Sequence, residues 1–212
     1  MSLLVKEIFT SIQGESSFQG LPCVFVRLSG CNLRCTYCDS RYAYEGGQEM
    51  TINEVLREAG RSGVKLVEIT GGEPLLQEET PNLVRALTKK KFTVLVETNG
   101  TVDISKLSKK AVKIVDIKCP GSGESARVNW RNLKLIGNKD EVKFVVQDRA
   151  DYEWAKKVTR RHKLTEKSNV LFSCAFGRLH PCKLADWILE DGLDVRLNLQ
   201  LHKYIWGRGT RK

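Results

Sequence analysis

Three cysteines in the run CNLRCTYC, Cys31, Cys35 and Cys38, have the residue type and the spacing to bind metal. Thiolates spaced in this way can bind three irons of a [4Fe–4S] cluster and leave the fourth iron without a protein ligand. Because protein iron–sulfur clusters are usually held by four cysteines, the missing ligand marks a place where a small molecule can bind iron, as in open catalytic metal sites. The run therefore predicts a reactive cluster. The alternative is half of a structural zinc site, although the sequence has no second cysteine pair at matching spacing.

A second motif, EITGGEP, follows a probable strand. Gly71 and Gly72 allow unusual dihedral angles and a close approach of the backbone to a ligand. Glu73 offers a carboxylate suited to a ligand ammonium group, and Pro74 stiffens the exit from the turn. Alone this turn is a weak signal, but it gains weight when a three-cysteine loop follows the preceding strand.

The composition is typical of a soluble globular protein, and the length suits one domain. The chain has 212 residues, of which 41% are hydrophobic and 28% are charged. No apolar run approaches the roughly 18 residues that a membrane helix needs, and the start MSLLVKEIF lacks the pattern of a secretory signal. We expect a cytoplasmic protein that forms a single domain over residues 1–212.

The seven cysteines fit a reducing compartment. Their number is odd and three of them stand at ligand spacing, which indicates metal chemistry rather than a disulfide framework. Cys23, Cys174 and Cys182 are predicted to be structural, because free cysteine packs like a small hydrophobic residue. Cys119 follows a probable strand end, so its role is left open.

A net charge of +10 permits a nucleic-acid-binding interpretation. However, the basic residues are scattered or lie near probable helix ends, as in LTKKKF and KKVTRRHK, where they suit the negative end of a helix dipole. We therefore expect most of them to form solvated faces. The terminal run RGTRK adds charge that could contact an anionic partner.

Short β-branched runs alternate with amphipathic stretches along the chain. Strands are predicted over residues 23–28, 65–70, 93–97, 112–117, 142–146, 170–172 and 194–199, and helices over 52–61, 78–90, 149–161 and 182–190. Thr51 and Glu54 form a capping box for the first helix. This alternation predicts an α/β fold with a parallel sheet, either doubly wound or a barrel that fails to close, since a closed barrel takes about 250 residues. In both, loops after the strands' carboxyl ends form the active face, which is where the cysteine loop and GGEP fall.

The cysteine loop and GGEP together resemble the radical S-adenosylmethionine superfamily. The resemblance implies an incomplete (open) parallel β/α barrel with the cluster loop at about residues 29–45. It also implies that the cofactors are a [4Fe–4S] cluster and S-adenosylmethionine. The methionine amino and carboxylate groups bind the open iron, and cleavage of the sulfonium yields a 5′-deoxyadenosyl radical.

Further segments, EIFTSIQGE, FVRLSGC, CDS and LQLHKYIWG, resemble the 7-carboxy-7-deazaguanine synthase family over nearly the whole chain. That family converts 6-carboxy-5,6,7,8-tetrahydropterin into 7-carboxy-7-deazaguanine with loss of ammonia, on the way to deazaguanine nucleosides of tRNA such as queuosine or archaeosine. In the implied course, the radical removes hydrogen from C6, the ring contracts, hydrogen returns to S-adenosylmethionine and ammonia leaves. No residue stands out in the sequence as the acid or base of the last step.

The resemblance also implies the roles of individual residues. Those assigned to the pterin are Ile12, Gln13, Gly14, Glu15, Arg27, Thr70 and His202, with Arg27 on the substrate carboxylate and His202 reaching in from the last strand. Those assigned to S-adenosylmethionine are Tyr37, Cys38, Asp39, Gly72 and Glu73, with Asn99, Lys118, Cys119 and Pro120 as weaker candidates. Ser40 corresponds to a Mg²⁺ ligand, and Mg²⁺ commonly keeps waters and takes substrate oxygens as further ligands.

The resemblance further implies an electron donor such as flavodoxin or ferredoxin, a homodimer, and no direct contact with nucleic acid or membrane. Two segments depart from the family pattern. Ser16 stands where the family has glycine, and residues 171–181, LFSCAFGRLHP, carry an unfamiliar Ser-Cys pair.

Two other functions compete with this one. A glycyl-radical activase shares the cysteine loop and a GGEP-like turn, but IQGE, Arg27 and LQLHK argue against it. A metal-stapled nucleic-acid binder would explain the net charge and CNLRCTYC, and it would contain zinc rather than iron.

Overall fold

The computed structural model describes residues 2–207, so the basic run RGTRK lies outside the described residues. The strands are β1 (Ser2–Ile12), β2 (Pro22–Leu28), β3 (Gln48–Thr51), β4 (Leu66–Gly71), β5 (Thr93–Thr98), β6 (Val112–Asp116), β7 (Glu141–Val146), β8 (Asn169–Cys174) and β9 (Arg196–Leu197). The helices are α1 (Ile52–Gly60), α2 (Thr80–Lys89), α3 (Arg149–Arg161), α4 (Pro181–Glu190) and α5 (Leu201–Trp206). No helix within residues 2–207 is both long and apolar enough to span a bilayer.

All strands join one sheet in the order β3-β1-β2-β4-β5-β6-β7-β8-β9. From β2 to β9 the neighbours are parallel, whereas β1 runs antiparallel to both β2 and β3. The sheet starts at β3 and ends at β9 without closing. The prediction of an open parallel β/α barrel is therefore confirmed.

The four predicted helices are confirmed to within a few residues. The Thr51–Glu54 capping box is present: the Glu54 N–H donates to Thr51 Oγ1 at 3.3 Å, and the Thr51 N–H donates to Glu54 Oε2 at 2.7 Å. Such a cap stabilises a helix by about 1 kcal/mol. The antiparallel strands β1 and β3 were not predicted.

The last predicted strand, over 194–199, shortens to the two residues of β9, and His202 lies on α5, so its placement on a strand is wrong. The chain leaves the sheet at Asn198, whose amide donates to Ser173 Oγ at 2.8 Å. Beyond that point the Leu201 N–H donates to the Gly14 carbonyl, so the chain crosses to the start of the sheet instead of extending β9.

Strand residues alternate between two faces of the sheet, as the period of two requires. Those on the outer face, such as Val26, Ile69 and Phe144, are fully buried against the helices. The inner face has two layers. Cys23, Leu66, Leu95, Val112 and Ile114 form an apolar layer with Phe18 and Phe25. Further along the strands, Arg27, Glu68, Glu97 and Asp116 form a polar layer near the carboxyl ends, which Lys143 of β7 joins.

The predicted packing role of free cysteines holds for Cys23, which is fully buried in the apolar layer. Burial raises the pKa of its thiol, so it stays protonated. Cys182 is exposed near the start of α4, and a packing role for it is therefore wrong.

Candidate active site

A cavity of about 720 Å³ opens at the carboxyl ends of the parallel strands, inside the open barrel. This volume is in the usual range for small-molecule sites. The structure brings most of the predicted site residues to its wall: Ile12, Gln13, Gly14, Glu15, Arg27, Thr70 and His202, and also Cys31, Cys35, Tyr37, Cys38, Asp39, Ser40, Gly72, Asn99 and Lys118. The residues expected to hold metal and those expected to hold substrate therefore share one cavity.

The cysteine loop packs directly on the backbone of the GGEP turn. A Cβ atom at Gly72 would lie 2.2 Å from the Gly30 carbonyl oxygen and 2.6 Å from Cys31 Cβ, so only glycine fits there. The Glu73 N–H donates to the Gly30 carbonyl at 2.8 Å. The two motifs thus form one compact unit, which explains why they occur together.

The donors present fit an iron–sulfur cluster. All three thiols line the cavity, and Cys31 Sγ accepts hydrogen bonds from the Leu33 N–H at 3.4 Å and from Asn99 Nδ2 at 3.9 Å, as a cluster sulfur ligand would. Within residues 2–207 no three His, Cys, Asp or Glu side chains converge on one ion position. A cluster needs no such convergence, because each cysteine bonds a different iron. Burial raises the pKa of Cys35 to about 11, so bound iron would have to displace its proton.

Several charged residues of the polar layer were not predicted. Glu97 and Asp116 lie in the carboxyl-terminal halves of β5 and β6, Lys143 is the third residue of β7, and Lys118, which was a predicted site residue, follows β6. Asp116 Oδ2 accepts from Lys118 Nζ at 2.8 Å, whereas Asp116 Oδ1 is buried and has no hydrogen-bond partner among residues 2–207. Burial would raise the pKa of Asp116, but Lys118 and Lys143 lower it below its usual value. An ionised oxygen without a partner is suited to a ligand N–H or O–H group.

Residues 25–161 match the Radical SAM superfamily. A 7-carboxy-7-deazaguanine synthase from Koribacter versatilis is 47% identical to this chain, and the match covers 98% of both proteins. The chain belongs to the 7-carboxy-7-deazaguanine synthase family. A second member of that family, from Chlorobaculum tepidum, is 45% identical over 99% of this chain and 96% of its own. The crystal structure of QueE from Escherichia coli has the same fold, with a TM-score of 0.78 at 23% identity over 95% of both chains.

The side chain of Arg27 is held in place by Glu7. Its Nε donates to Glu7 Oε1 at 2.9 Å, and the same oxygen accepts from the Tyr42 hydroxyl at 2.7 Å. Glu7 and Arg27 are also paired in the β1–β2 register. Arg27 also lines the cavity, where its planar guanidinium is suited to bind a carboxylate at two points.

Gln13, which was expected to contact the pterin, has its side-chain amide taken up by neighbouring protein groups. It is 2% exposed, its amide nitrogen donates to Glu68, and its oxygen accepts from the Glu15 N–H at 3.0 Å. The side chain therefore shapes the Glu15 loop. Glu68 was not predicted either. Burial raises its pKa well above the usual value, which favours the protonated form that can donate a hydrogen bond.

Glu73 does not line the cavity. It is fully buried, and its carboxylate accepts from the Leu75 N–H at 2.9 Å, from the Thr98 hydroxyl at 2.8 Å and from the Asn99 N–H at 2.6 Å. Burial raises its pKa to about 7. Glu73 is therefore not positioned to make the expected direct contact with a ligand ammonium group. Glu73 instead fixes the backbone of Asn99, whose side chain does line the cavity.

Cys119 and Pro120 are also outside the cavity wall. Cys119 is fully buried in the core beneath the helices, and Pro120 is exposed at the start of a short 3-10 turn. Of the run 118–120, only Lys118 lines the cavity.

The C-terminal segment covers one side of the cavity. A Cβ atom at Gly14 would lie 2.1 Å from His202 Nδ1, so glycine lets the histidine ring lie against this loop. Lys203 Nζ and Gln200 Nε2 donate to Asp39 Oδ2 at 2.8 and 3.3 Å, and Ser40 Oγ donates to Asp39 Oδ1 at 3.1 Å. Burial would raise the pKa of Asp39, but Lys203 lowers it below its usual range.

The two departures from the family pattern both border the site. Ser16 has φ 64°, in the left-handed region where glycine is favoured. Its hydroxyl accepts from the Phe18 N–H at 3.0 Å, which compensates part of the strain. Of the segment 171–181, Ser173, Cys174, Ala175, Phe176 and Arg178 line the cavity.

The unpredicted charged residues of the polar layer do have a recognisable pattern in the sequence. Glu68, Glu97 and Lys143 each interrupt a β-branched run, in LVEIT, VLVETN and EVKFVV. A charge inside a buried parallel strand is unusual. Such charges indicate that one strand face lines a polar cavity.

Proposed function

We propose that this chain converts 6-carboxy-5,6,7,8-tetrahydropterin into 7-carboxy-7-deazaguanine with loss of ammonia, as a radical S-adenosylmethionine carbon–nitrogen lyase. The observation that carries this is a single cavity with three cysteine thiols on one wall and Glu15, Arg27 and Glu68 on the others. The family membership supports the same reaction.

Cys31, Cys35 and Cys38 would hold a [4Fe–4S] cluster, which together with S-adenosylmethionine supplies a 5′-deoxyadenosyl radical when bound. The protein orients that chemistry and excludes water. Tyr37 closes the wall beside the thiols: its hydroxyl donates to the Val145 carbonyl at 3.0 Å, and the Arg178 guanidinium lies 5.4 Å from its ring centre. Gly72, Asn99 and Asp39 border the same part of the cavity and are the proposed S-adenosylmethionine contacts.

Arg27 binds the substrate carboxylate through its guanidinium group. Glu15, Ile12, Gly14, Thr70 and His202 line the part of the cavity that takes the ring. Glu68 lines the same cavity, and because burial raises its pKa it is the proposed proton donor to the leaving amine. Ser40 lies beside Asp39 and offers its hydroxyl to a Mg²⁺ ion that would also bind the substrate carboxylate.

Further parts of the proposal come from the family resemblance and the composition. They are a single domain over residues 1–212, a cytoplasmic location, a homodimer, a flavodoxin or ferredoxin as electron donor, and no direct binding of nucleic acid. The product would enter the synthesis of 7-deazapurines in tRNA.

The test is an anaerobic assay of reconstituted protein with dithionite, S-adenosylmethionine, Mg²⁺ and the carboxytetrahydropterin. We expect 7-carboxy-7-deazaguanine and ammonia in equal amounts, detected by mass spectrometry and an ammonia assay. Cys38→Ala, which removes one cluster ligand, should abolish both. Reconstituted protein that contains iron but yields no such product from this pterin would refute the proposal.

A further inference from the structure

Lys143, on β7, is a buried cation surrounded by three carboxylates. It is 5% exposed. Its Nζ lies 2.9 Å from Glu15 Oε2 and 3.6 Å from Asp116 Oδ2, and it also pairs with Glu97. The three acids come from the loop after β1 and from the ends of β5 and β6. One ammonium group therefore joins three separate parts of the cavity wall.

Glu15 is held at both of its carboxylate oxygens. Oε2 accepts from Lys143 Nζ, and Oε1 accepts from Gln200 Nε2 at 2.9 Å. Burial would raise the pKa of Glu15, but Lys143 and Gln200 lower it below its usual value. An ionised carboxylate only accepts hydrogen bonds and has about four acceptor positions. Two of these remain for a ligand in the cavity.

The 2-amino-4-oxopyrimidine part of the pterin carries adjacent N–H donors. A fixed, ionised carboxylate is their natural acceptor. We infer that Lys143 is a positioning residue for pterin recognition, which keeps Glu15 ionised and oriented to accept these N–H groups. This inference rests on the proposed function and adds a residue that has no assigned role in it.

Loss of Lys143 changes the protonation of Glu15. The other titratable groups around this site are the acids Glu68, Glu97, Asp116 and Asp39 and the basic groups His202, Lys118 and Lys203. With its main cationic partner absent, half-buried Glu15 would take up a proton as pH falls and turn from acceptor to donor. Pterin affinity would then be retained at high pH and lost at low pH.

The test compares Lys143→Met with Lys113→Met. Lys113 is a matched control, because it is also a buried sheet lysine, paired at 2.8 Å with Asp140, and it does not line the cavity. Binding of the carboxytetrahydropterin to unreduced holoenzyme is measured by anaerobic calorimetry at about pH 8 and about pH 6. We expect Lys143→Met to weaken binding by about 10- to 100-fold at the lower pH, and clearly less at the higher. Lys113→Met should lower thermal stability and leave the affinity unchanged.

Wild-type affinity of Lys143→Met at both pH values would overturn the inference. If that variant does not fold, infrared titration of wild-type protein against Glu15→Gln decides the matter: Glu15 must ionise below the usual carboxyl range, and ionisation within or above it overturns the inference. A wild-type enzyme that neither binds nor converts the pterin would refute the proposed function itself, which separates the two failures.

Discussion

Ser16 has a backbone conformation that costs most side chains about 1 kcal/mol or more. We expect Ser16→Val to destabilise the protein by about 2 kcal/mol, because it adds a β-branched side chain in the left-handed region and removes the hydrogen bond to the Phe18 N–H. Ser16→Gly should change stability by less than about 1 kcal/mol, since relief of strain offsets the lost bond. Urea unfolding of both variants measures this. Equal destabilisation by valine and glycine would contradict the account.

Glu7 is predicted to act on the substrate through Arg27. Glu7→Gln weakens the charge-assisted bond to Arg27 Nε while it keeps the size of the side chain. We expect KM for the pterin to rise by about 10-fold, with little change in the affinity for S-adenosylmethionine. The control is Glu58→Gln, which removes the pair with the exposed Arg61 on α1. An equal effect on both ligands would show that Glu7 has only a structural role.

Sequence spacing identifies residues whose chemistry depends on neighbours along the chain. The three cysteines and the glycines of GGEP are of this kind, and the structure places them against each other. Glu97 and Lys143 are not, because 46 residues separate them and the sheet register brings them together. Likewise, the GGEP motif does not indicate that the Glu73 carboxylate accepts hydrogen bonds from Thr98, at the end of β5, and from Asn99, which follows it.

The turn after β4 and the cluster loop pack together as one structural unit. Gly72→Ala would force a Cβ atom into the backbone at Gly30. We expect it to destabilise the protein by about 1–3 kcal/mol and to lower the iron bound after reconstitution. Gly60→Ala is the matched control, because the space around Gly60 at the end of α1 is open. It should be neutral or stabilising by up to about 1 kcal/mol. Full iron content in Gly72→Ala would contradict the close packing described.

The helices and central strands were predictable because each has its own periodic pattern and local stop signals. α1, for example, has a capping box and a clear apolar stripe. The antiparallel strands β1 and β3 lack that advantage, since the alternation in SLLVKEIFTSI is irregular and β3 has only four residues. α5 has only six residues, and its position depends on contacts with Gly14 and Asp39, which are remote in sequence.

The gap in the barrel is bridged by hydrogen bonds between loops rather than by strand pairing, both from backbone and from side-chain groups. Gln19 Nε2 donates to the Gly14 carbonyl at 2.9 Å and to the Leu199 carbonyl at 2.7 Å. We expect Gln19→Leu to speed amide hydrogen exchange of residues 199–206 by about 5-fold, the equivalent of about 1 kcal/mol, while β4 to β7 stay protected. Gln48→Leu, on exposed β3, should leave exchange in that segment unchanged. Faster exchange throughout the sheet would instead indicate global destabilisation.

The two inner layers of the sheet have different roles: the apolar layer stabilises the fold, and the polar layer recognises the ligand. The lower layer contributes mainly buried hydrocarbon, and the layer above it contributes charge, although both lie on the inner face of one sheet. A substitution in the polar layer can therefore change which small molecule binds, while the apolar layer below it continues to stabilise the fold. New catalytic repertoires on this scaffold then need only a few substitutions at one depth of the barrel.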